Sequence, residues 1–204
     1  YKKTISRIEK YHEKHQIKDC SGFINGIQVP SIESMLVCID WDSMSNGIVS
    51  NFHGDLQFDN ALLKDDGDFL LLDWRQDFSG NVNYGDKYYD LAKLNGGMKV
   101  SYKLIKQGKF SYFKDSQGEI IISHDVPKEL IESGKIFRNF LNNKDLDCIK
   151  VDILTGLIYL NMSPMHHEPF DHFVYNFGKL SLYKILLESG KIHNEGFHNS
   201  KSFQ

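Results

Sequence analysis

The chain has 204 residues, 41% of them hydrophobic and 25% charged, with a formal net charge of -3. That is enough apolar material for one substantial core and argues against a disordered class, and the weak negative balance offers no electrostatic case for nucleic acid or an anionic membrane as partner. No apolar run reaches the length of a membrane span and no signal peptide is visible; Cys20, Cys38 and Cys148 lie far apart without a CxxC pair, so free thiols in a reducing cytoplasm are expected.

Residues 4–16 are expected to be helical, with Ile5, Ile8 and Tyr11 on one face. Residues 22–30 read as a loop. Ser31 then caps a second helix over about 32–44 that turns Met35, Leu36, Ile39 and Trp41 inward and ends at Asn46-Gly47. Ile48, Val49 and Phe52 read as a short strand running into His53-Gly54-Asp55. Ala61-Leu62-Leu63 and Phe69-Leu70-Leu71-Leu72 flank Asp65-Asp66-Gly67-Asp68, which reads as the strongest short hairpin signal in the chain. With Asp66-Gly67 as a two-residue turn, Asn60 stands directly opposite Asp73, and such partners have Cβ atoms about 4.5–5.5 Å apart on one face. A three-residue turn would shift that pairing. An amide oxygen and a carboxylate that converge suit a hard cation such as Mg²⁺, which takes a few protein oxygens and completes its shell with substrate phosphates. Asp55 lies on the loop leading into the same hairpin.

Beyond the hairpin, residues 74–80 are irregular. A helix is expected over 86–94, interrupted at Gly96-Gly97 and resuming through Ile105. Residues 110–114 and 119–123 bracket Asp115-Ser116-Gln117-Gly118 as another hairpin, with a structural or lid-like role. Pro127 starts a helix to about Asn142, and Asp145 or Asp147 starts another through Leu160. Pro169 starts the last, with Phe173, Phe177, Leu180, Tyr183 and Leu187 at helical spacing. No internal repeat appears, so residues 1–189 read as one domain and 190–204 as a polar tail.

The order His53-Gly54-Asp55, four residues, Asn60, a hairpin and then Asp73 resembles the catalytic segment of the aminoglycoside phosphotransferase and choline kinase families, small-molecule relatives of the protein kinases. Gly85-Asp86-Lys87-Tyr88-Tyr89-Asp90-Leu91-Ala92 matches a G-D-x-x-x-D-L-A stretch of the same superfamily. The match covers roughly residues 48–95. It implies that Asp55 is the catalytic base, that Asn60 and Asp73 hold magnesium against ATP or another nucleoside triphosphate, that His53 braces the loop, and that Asp90 ties the following helix to it. The implied fold is α+β and mainly helical, a kinase-like C-terminal lobe with small β-hairpins. No Gly-rich phosphate loop or strand lysine of a small N-terminal lobe is recognisable and the first residue is Tyr1, so the sequence reads as the large lobe of a longer protein whose small lobe is a partner; alone it would bind nucleotide weakly.

Two other groups of residues need weighing. His166-His167-Glu168 with Asp171 and His172 suggests a metal cluster, yet an HExxH zinc motif needs His at i and i+4 of an unbroken helix, and here Asp171 takes the second place with Pro169 inside the turn. A helix start with acidic residues at its N-terminus is the simpler account, and an acceptor pocket lined by residues such as His167 and Asp171 a third. Arg75 stands where the resembling families often carry an acidic residue. It is either a loop arginine paired with Asp77 or Asp86 or a contact for an anionic or sugar-like acceptor. The expected function is therefore ATP- and Mg²⁺-dependent phosphorylation of a small-molecule hydroxyl, with a sugar-like alcohol ahead of a choline-like or aminoglycoside acceptor. The alternative from another class is a kinase-like binding module without catalysis.

Overall fold

The structure, a computed structural model, describes residues 1–193 and is mixed α+β; most of the expected polar tail, 194–204, lies outside the described residues. The first half holds α1 (Lys2–His15), β1 (Gly22–Ile24), β2 (Ile27–Val29), α2 (Ile32–Leu36), α3 (Trp41–Ser45), β3 (Val49–Ser50), β4 (Ala61–Leu63), β5 (Phe69–Leu71) and β6 (Gly85–Asp86). There follow α4 (Lys87–Lys99), α5 (Tyr102–Lys106), β7 (Phe110–Lys114), β8 (Ile120–His124), α6 (Lys128–Asn143), α7 (Cys148–Met162) and α8 (Phe170–Glu188). Where the sequence reads as one domain over 1–189, the chain gathers into two compact units, one of residues 1–44, 111–123 and 159 onward, the other of 45–110 and 124–158. No helix among the described residues is long and apolar enough to cross a membrane.

In the first unit, α1 buries Thr4, Ile8 and Tyr11 and stops where Gln16 turns left-handed at φ 52°. Residues 22–30, expected as loop, instead form the β1–β2 hairpin, with Ile24 opposite Ile27. The cause is local: Asn25 and Gly26 both have positive φ, 50° and 74°, the pair of left-handed residues that a two-residue type I′ turn needs. Asn25-Gly26 is therefore a stronger hairpin signal than Asp66-Gly67. The Asn25 side chain also bonds both ways to Ile122, donating to its carbonyl at 2.9 Å and accepting from its N–H at 2.8 Å. The 110–123 hairpin thus becomes half of a four-stranded sheet of order β2-β1-β8-β7. The helix expected over 32–44 is two short helices. Ser31 caps α2, accepting from Ser34 N–H at 3.2 Å, and the Trp41 indole N–H then takes the Leu36 carbonyl at 2.9 Å, which ends that helix. Of the residues expected on the inward face of α8, Phe173, Leu180 and Tyr183 are buried and Phe177 and Leu187 half-buried, while Leu182 and Leu186 are fully buried as well.

In the second unit, β3 pairs antiparallel with β6 and β4 with β5. The β4–β5 register corrects the expected one: Ala61 faces Leu71 and Leu63 faces Phe69, so Asn60 faces Leu72, whose N–H donates to the Asn60 carbonyl at 2.8 Å. Three residues, Asp65-Asp66-Gly67, make the loop, closed by Lys64 N–H on Asp68 O at 2.8 Å with Gly67 left-handed at φ 87°; this is the longer hairpin loop in which glycine takes the αL place. Helix α4 runs unbroken through Gly96-Gly97 and ends at Val100. A Cβ at Gly97 would stand 3.1 Å from the Phe58 ring, which would have to give by a few tenths of an ångström. Asp147 caps α7, accepting from Lys150 N–H at 2.9 Å.

Asp152 on α7, 6% exposed, holds this unit together by binding Lys99 at 3.1 Å, Arg138 at 2.5 Å and the Asn95 amide at 3.0 Å. Burial pushes its carboxyl up, but Lys99 and Arg138 outweigh burial and hold it below the usual carboxylate range. A carboxyl depressed in the folded state binds protons less readily than in the unfolded chain, so its stabilisation is complete above the unfolded value of about 4 and is lost as pH falls below it, through the lower folded-state value. Asp152→Asn should therefore lower stability by about 1.5–3 kcal/mol at neutral pH and flatten the fall in stability between about pH 5 and 3. Urea unfolding across that range measures both.

Candidate active site

The loop between β3 and β4 is held from behind by α4. Both carboxylate oxygens of Asp90 accept backbone N–H groups of the loop, His53 at 2.7 Å and Gly54 at 2.8 Å. Asp86 sits one turn earlier, capping α4 through Tyr88 N–H at 3.0 Å and accepting from Ile48 N–H at 3.1 Å. Gly54 must be glycine: its φ is 78°, and a Cβ would lie 2.7 Å from that of Arg75. His53 is buried, and its Nδ1 accepts Asp55 N–H at 3.2 Å. That bond directs the remaining imidazole proton to Nε2, which among the described residues has no partner in its buried place beside the Trp74 ring.

These constraints present Asp55 in a half-buried position with three donors on its carboxylate. Asn60 Nδ2 donates to Asp55 O at 2.9 Å and to Oδ2 at 3.3 Å; Gln57 Nε2 donates to Oδ2 at 3.2 Å. Lys93 Nζ meets Oδ1 at 2.6 Å, with the lysine side chain only 9% exposed. Sequence reasoning missed Gln57 and Lys93. The signal for Lys93 was available: it stands three residues after Asp90, on the same face of α4, and a lysine among Leu91, Ala92 and Leu94 needs an acidic partner.

The Asn60 amide is fixed by its two donations to Asp55, which leaves Oδ1 as the outward group. Among the described residues, neither that oxygen nor the Asp73 carboxylate takes a hydrogen bond or ion pair, and Asp73 is exposed. Asp73 has φ 54°, a strained conformation for a non-glycine residue of the kind that clusters at ligand sites. The chain after it returns to the loop, with Arg75 N–H donating to His53 O at 2.9 Å. Asn60 and Asp73 are therefore neighbours through the Leu72–Asn60 backbone bond and not through direct opposition in the hairpin. Carboxylate and amide oxygens are the donor types that magnesium prefers. Four of the hairpin's six apolar side chains, Leu62, Leu63, Phe69 and Leu70, are exposed, Leu63 and Phe69 by about two-thirds (70% and 68%), and Ala61 and Leu71 are half-buried.

The other expected site residues are placed differently. Arg75 is exposed, its guanidinium 5.7 Å above the Tyr89 ring, and it pairs with neither Asp77 nor Asp86 among the described residues. His167 and Asp171 belong to the first unit. His167 is exposed, whereas Asp171 is 0% exposed and its carboxylate is taken by Lys14 at 2.7 Å, His15 at 2.8 Å and its neighbour's backbone N–H at 2.7 Å. Burial raises the Asp171 carboxyl, yet its bonds to Lys14 and His172 N–H carry it below the ordinary range. A carboxylate so enclosed acts on a ligand only through the groups that surround it. No family model, curated protein or solved structure matches this chain.

Proposed function

We propose that the protein transfers the terminal phosphoryl group of ATP, or another nucleoside triphosphate, to a hydroxyl of a small molecule. The observation that carries this reading is the Asp55 carboxylate held by the Asn60 amide on a loop whose backbone Asp90 anchors, with the Asn60 and Asp73 oxygens left uncommitted. In this reading Asp55 orients the acceptor hydroxyl and accepts its proton as the oxygen meets phosphorus. Asn60 and Asp73 hold a magnesium ion, which supplies charge neutralisation on the nucleotide phosphates. The exposed leucines and Phe69 of the β4–β5 hairpin offer the apolar surface that a nucleobase or a covering small lobe would take. Arg75, exposed beside the loop, favours a sugar-like or anionic acceptor over choline or an aminoglycoside, because a cationic acceptor would be repelled.

A phosphate-transfer assay of the intact protein over sugars, choline and aminoglycosides, with magnesium varied, tests this. Asp73→Asn should weaken magnesium–nucleotide binding by about tenfold or more as well as slow turnover, through loss of one charged oxygen ligand. A wild type that transfers to no acceptor, with nucleotide binding unchanged in Asp73→Asn, would favour the kinase-like binding module instead.

A further inference from the structure

The first unit contains a cluster that the phosphotransfer reading does not use. His15 from the end of α1, Glu168 just before α8 and His172 in the first turn of α8 bring one ligating atom each within 4.8 Å of the others. His15 Nδ1 lies 3.3 Å and His172 Nε2 lies 3.6 Å from the same oxygen, Glu168 Oε1. Donors about 2.0–2.2 Å from a tetrahedral zinc ion stand about 3.3–3.6 Å apart, so the edges of 3.3 and 3.6 Å have the length that such an ion sets.

The far side of each imidazole is also committed. His15 Nε2–H donates to the fully buried Asp171 carboxylate at 2.8 Å, which leaves the Nδ1 lone pair facing Glu168. Tyr11 Oη lies 2.7 Å from His172 Nδ1, and the Tyr112 ring stacks on the His172 ring at 4.7 Å and 17°. Carboxylate- and hydroxyl-backed histidines of this kind are how proteins fix the tautomer and orientation of metal ligands. Lys14 neutralises Asp171 but makes no ion pair with Glu168, whose ion-pair partners among the described residues are the two imidazoles. When Tyr11 accepts from His172 Nδ1–H, two nitrogen lone pairs and a carboxylate converge and repel one another. A proton relieves one pair of them, whereas a divalent ion satisfies all three.

We infer that His15 Nδ1, His172 Nε2 and Glu168 Oε1 form a three-ligand site for a borderline transition-metal ion of the zinc class, with its remaining coordination open to solvent. The two histidines are 6% and 20% exposed and Glu168 65%, so the protein closes one side and leaves the other open. Three protein ligands with an open position characterise zinc sites that bind a further group. HExxH logic misses this site because its first histidine lies on α1, more than 150 residues before Glu168.

The test is zinc and cobalt titration of the whole chain after chelator treatment, without nucleotide. One equivalent of zinc should bind, cobalt should give the visible absorption of a four- or five-coordinate ion, and millimolar magnesium should not displace either, since nitrogen ligands disfavour it. Glu168→Gln alters an exposed side chain and leaves the packed histidines in place; it should weaken zinc binding at least as much as losses at supporting residues do, about 10- to 100-fold. His167→Ala removes the adjacent exposed histidine and should leave zinc binding unchanged. Absence of stoichiometric binding overturns the site, and so does binding lost in His167→Ala but kept in Glu168→Gln, which would mark surface capture. Neither result bears on phosphate transfer, and loss of phosphate transfer with zinc binding intact would leave this site standing.

Discussion

Asp55→Asn should lower kcat by about 10²- to 10⁴-fold, the usual worth of a positioned general base, while nucleotide affinity changes little because Asn60 and Asp73 remain. The substitution keeps the size of the side chain and the oxygen that accepts from Asn60 and Gln57 at 3.3 and 3.2 Å. It removes the proton acceptor and the charge opposite Lys93, 2.6 Å away on a side chain that is 9% exposed. A buried cation left without its partner is costly, so part of the effect will be on stability, and it is separable. Lys93→Met alone and the double variant complete a cycle; in the double variant the stability loss should largely disappear, while the loss in kcat remains. Single-turnover phosphate transfer and urea unfolding on the same four proteins give the two readouts. If Asp55→Asn keeps more than about a tenth of wild-type kcat, Asp55 is not a base of the strength proposed.

What could be read in the sequence about this site was mainly what lies within one stretch of chain. His53, Asp55 and Asn60 lie within eight residues of one another, where a short loop leaves the backbone few ways to close, whereas the bonds from the His53 and Gly54 N–H groups to Asp90, 37 and 36 residues away, were legible only through the resemblance of the G-D-x-x-x-D-L-A stretch. Two kinds of information were not legible. The first is turn length: Asp66-Gly67 and Asp65-Asp66-Gly67 are both reasonable loops, and the choice moves the partner of Asn60 from Asp73 to Leu72. The second is pairing across long separations: Lys93 on α4 calls for an acidic partner without singling out Asp55, and nothing near Glu168 announces His15. Asn25-Gly26 is a different case, since its signal was present and local and 22–30 still reads as loop if glycine is taken only as a breaker. Gly96-Gly97 is the converse: propensity argues for a break, yet α4 runs through both glycines to Lys99.

Asp90→Ala should cost about 3–5 kcal/mol, the sum of two charge-assisted hydrogen bonds worth about 1.5–3 kcal/mol each, less what the loop recovers by relaxing toward water. Asp90 is 9% exposed, and the N–H groups of His53 and Gly54 that it serves at 2.7 and 2.8 Å are buried. Without the carboxylate those donors have no partner, and a domain stable by about 5–15 kcal/mol feels such a loss as a large fraction of the whole. Asp90→Asn separates charge from shape. It offers one acceptor oxygen but turns an NH₂ group against the other N–H, so at least one bond is lost and a donor faces a donor; its cost should approach that of alanine. The loop should respond before the rest of the unit. Amide exchange at His53 and Gly54 should accelerate in both variants more than exchange in the middle of α7, because the loop opens locally once its anchor is gone. Turnover should fall even under conditions where the protein remains folded, since Asp55 sits on the released segment and positioning of the base to within a fraction of an ångström governs proton transfer. Equal exchange at these two amides in wild type and Asp90→Ala would mean that Gly54 packing against Arg75 and the Arg75–His53 backbone bond suffice to hold the loop.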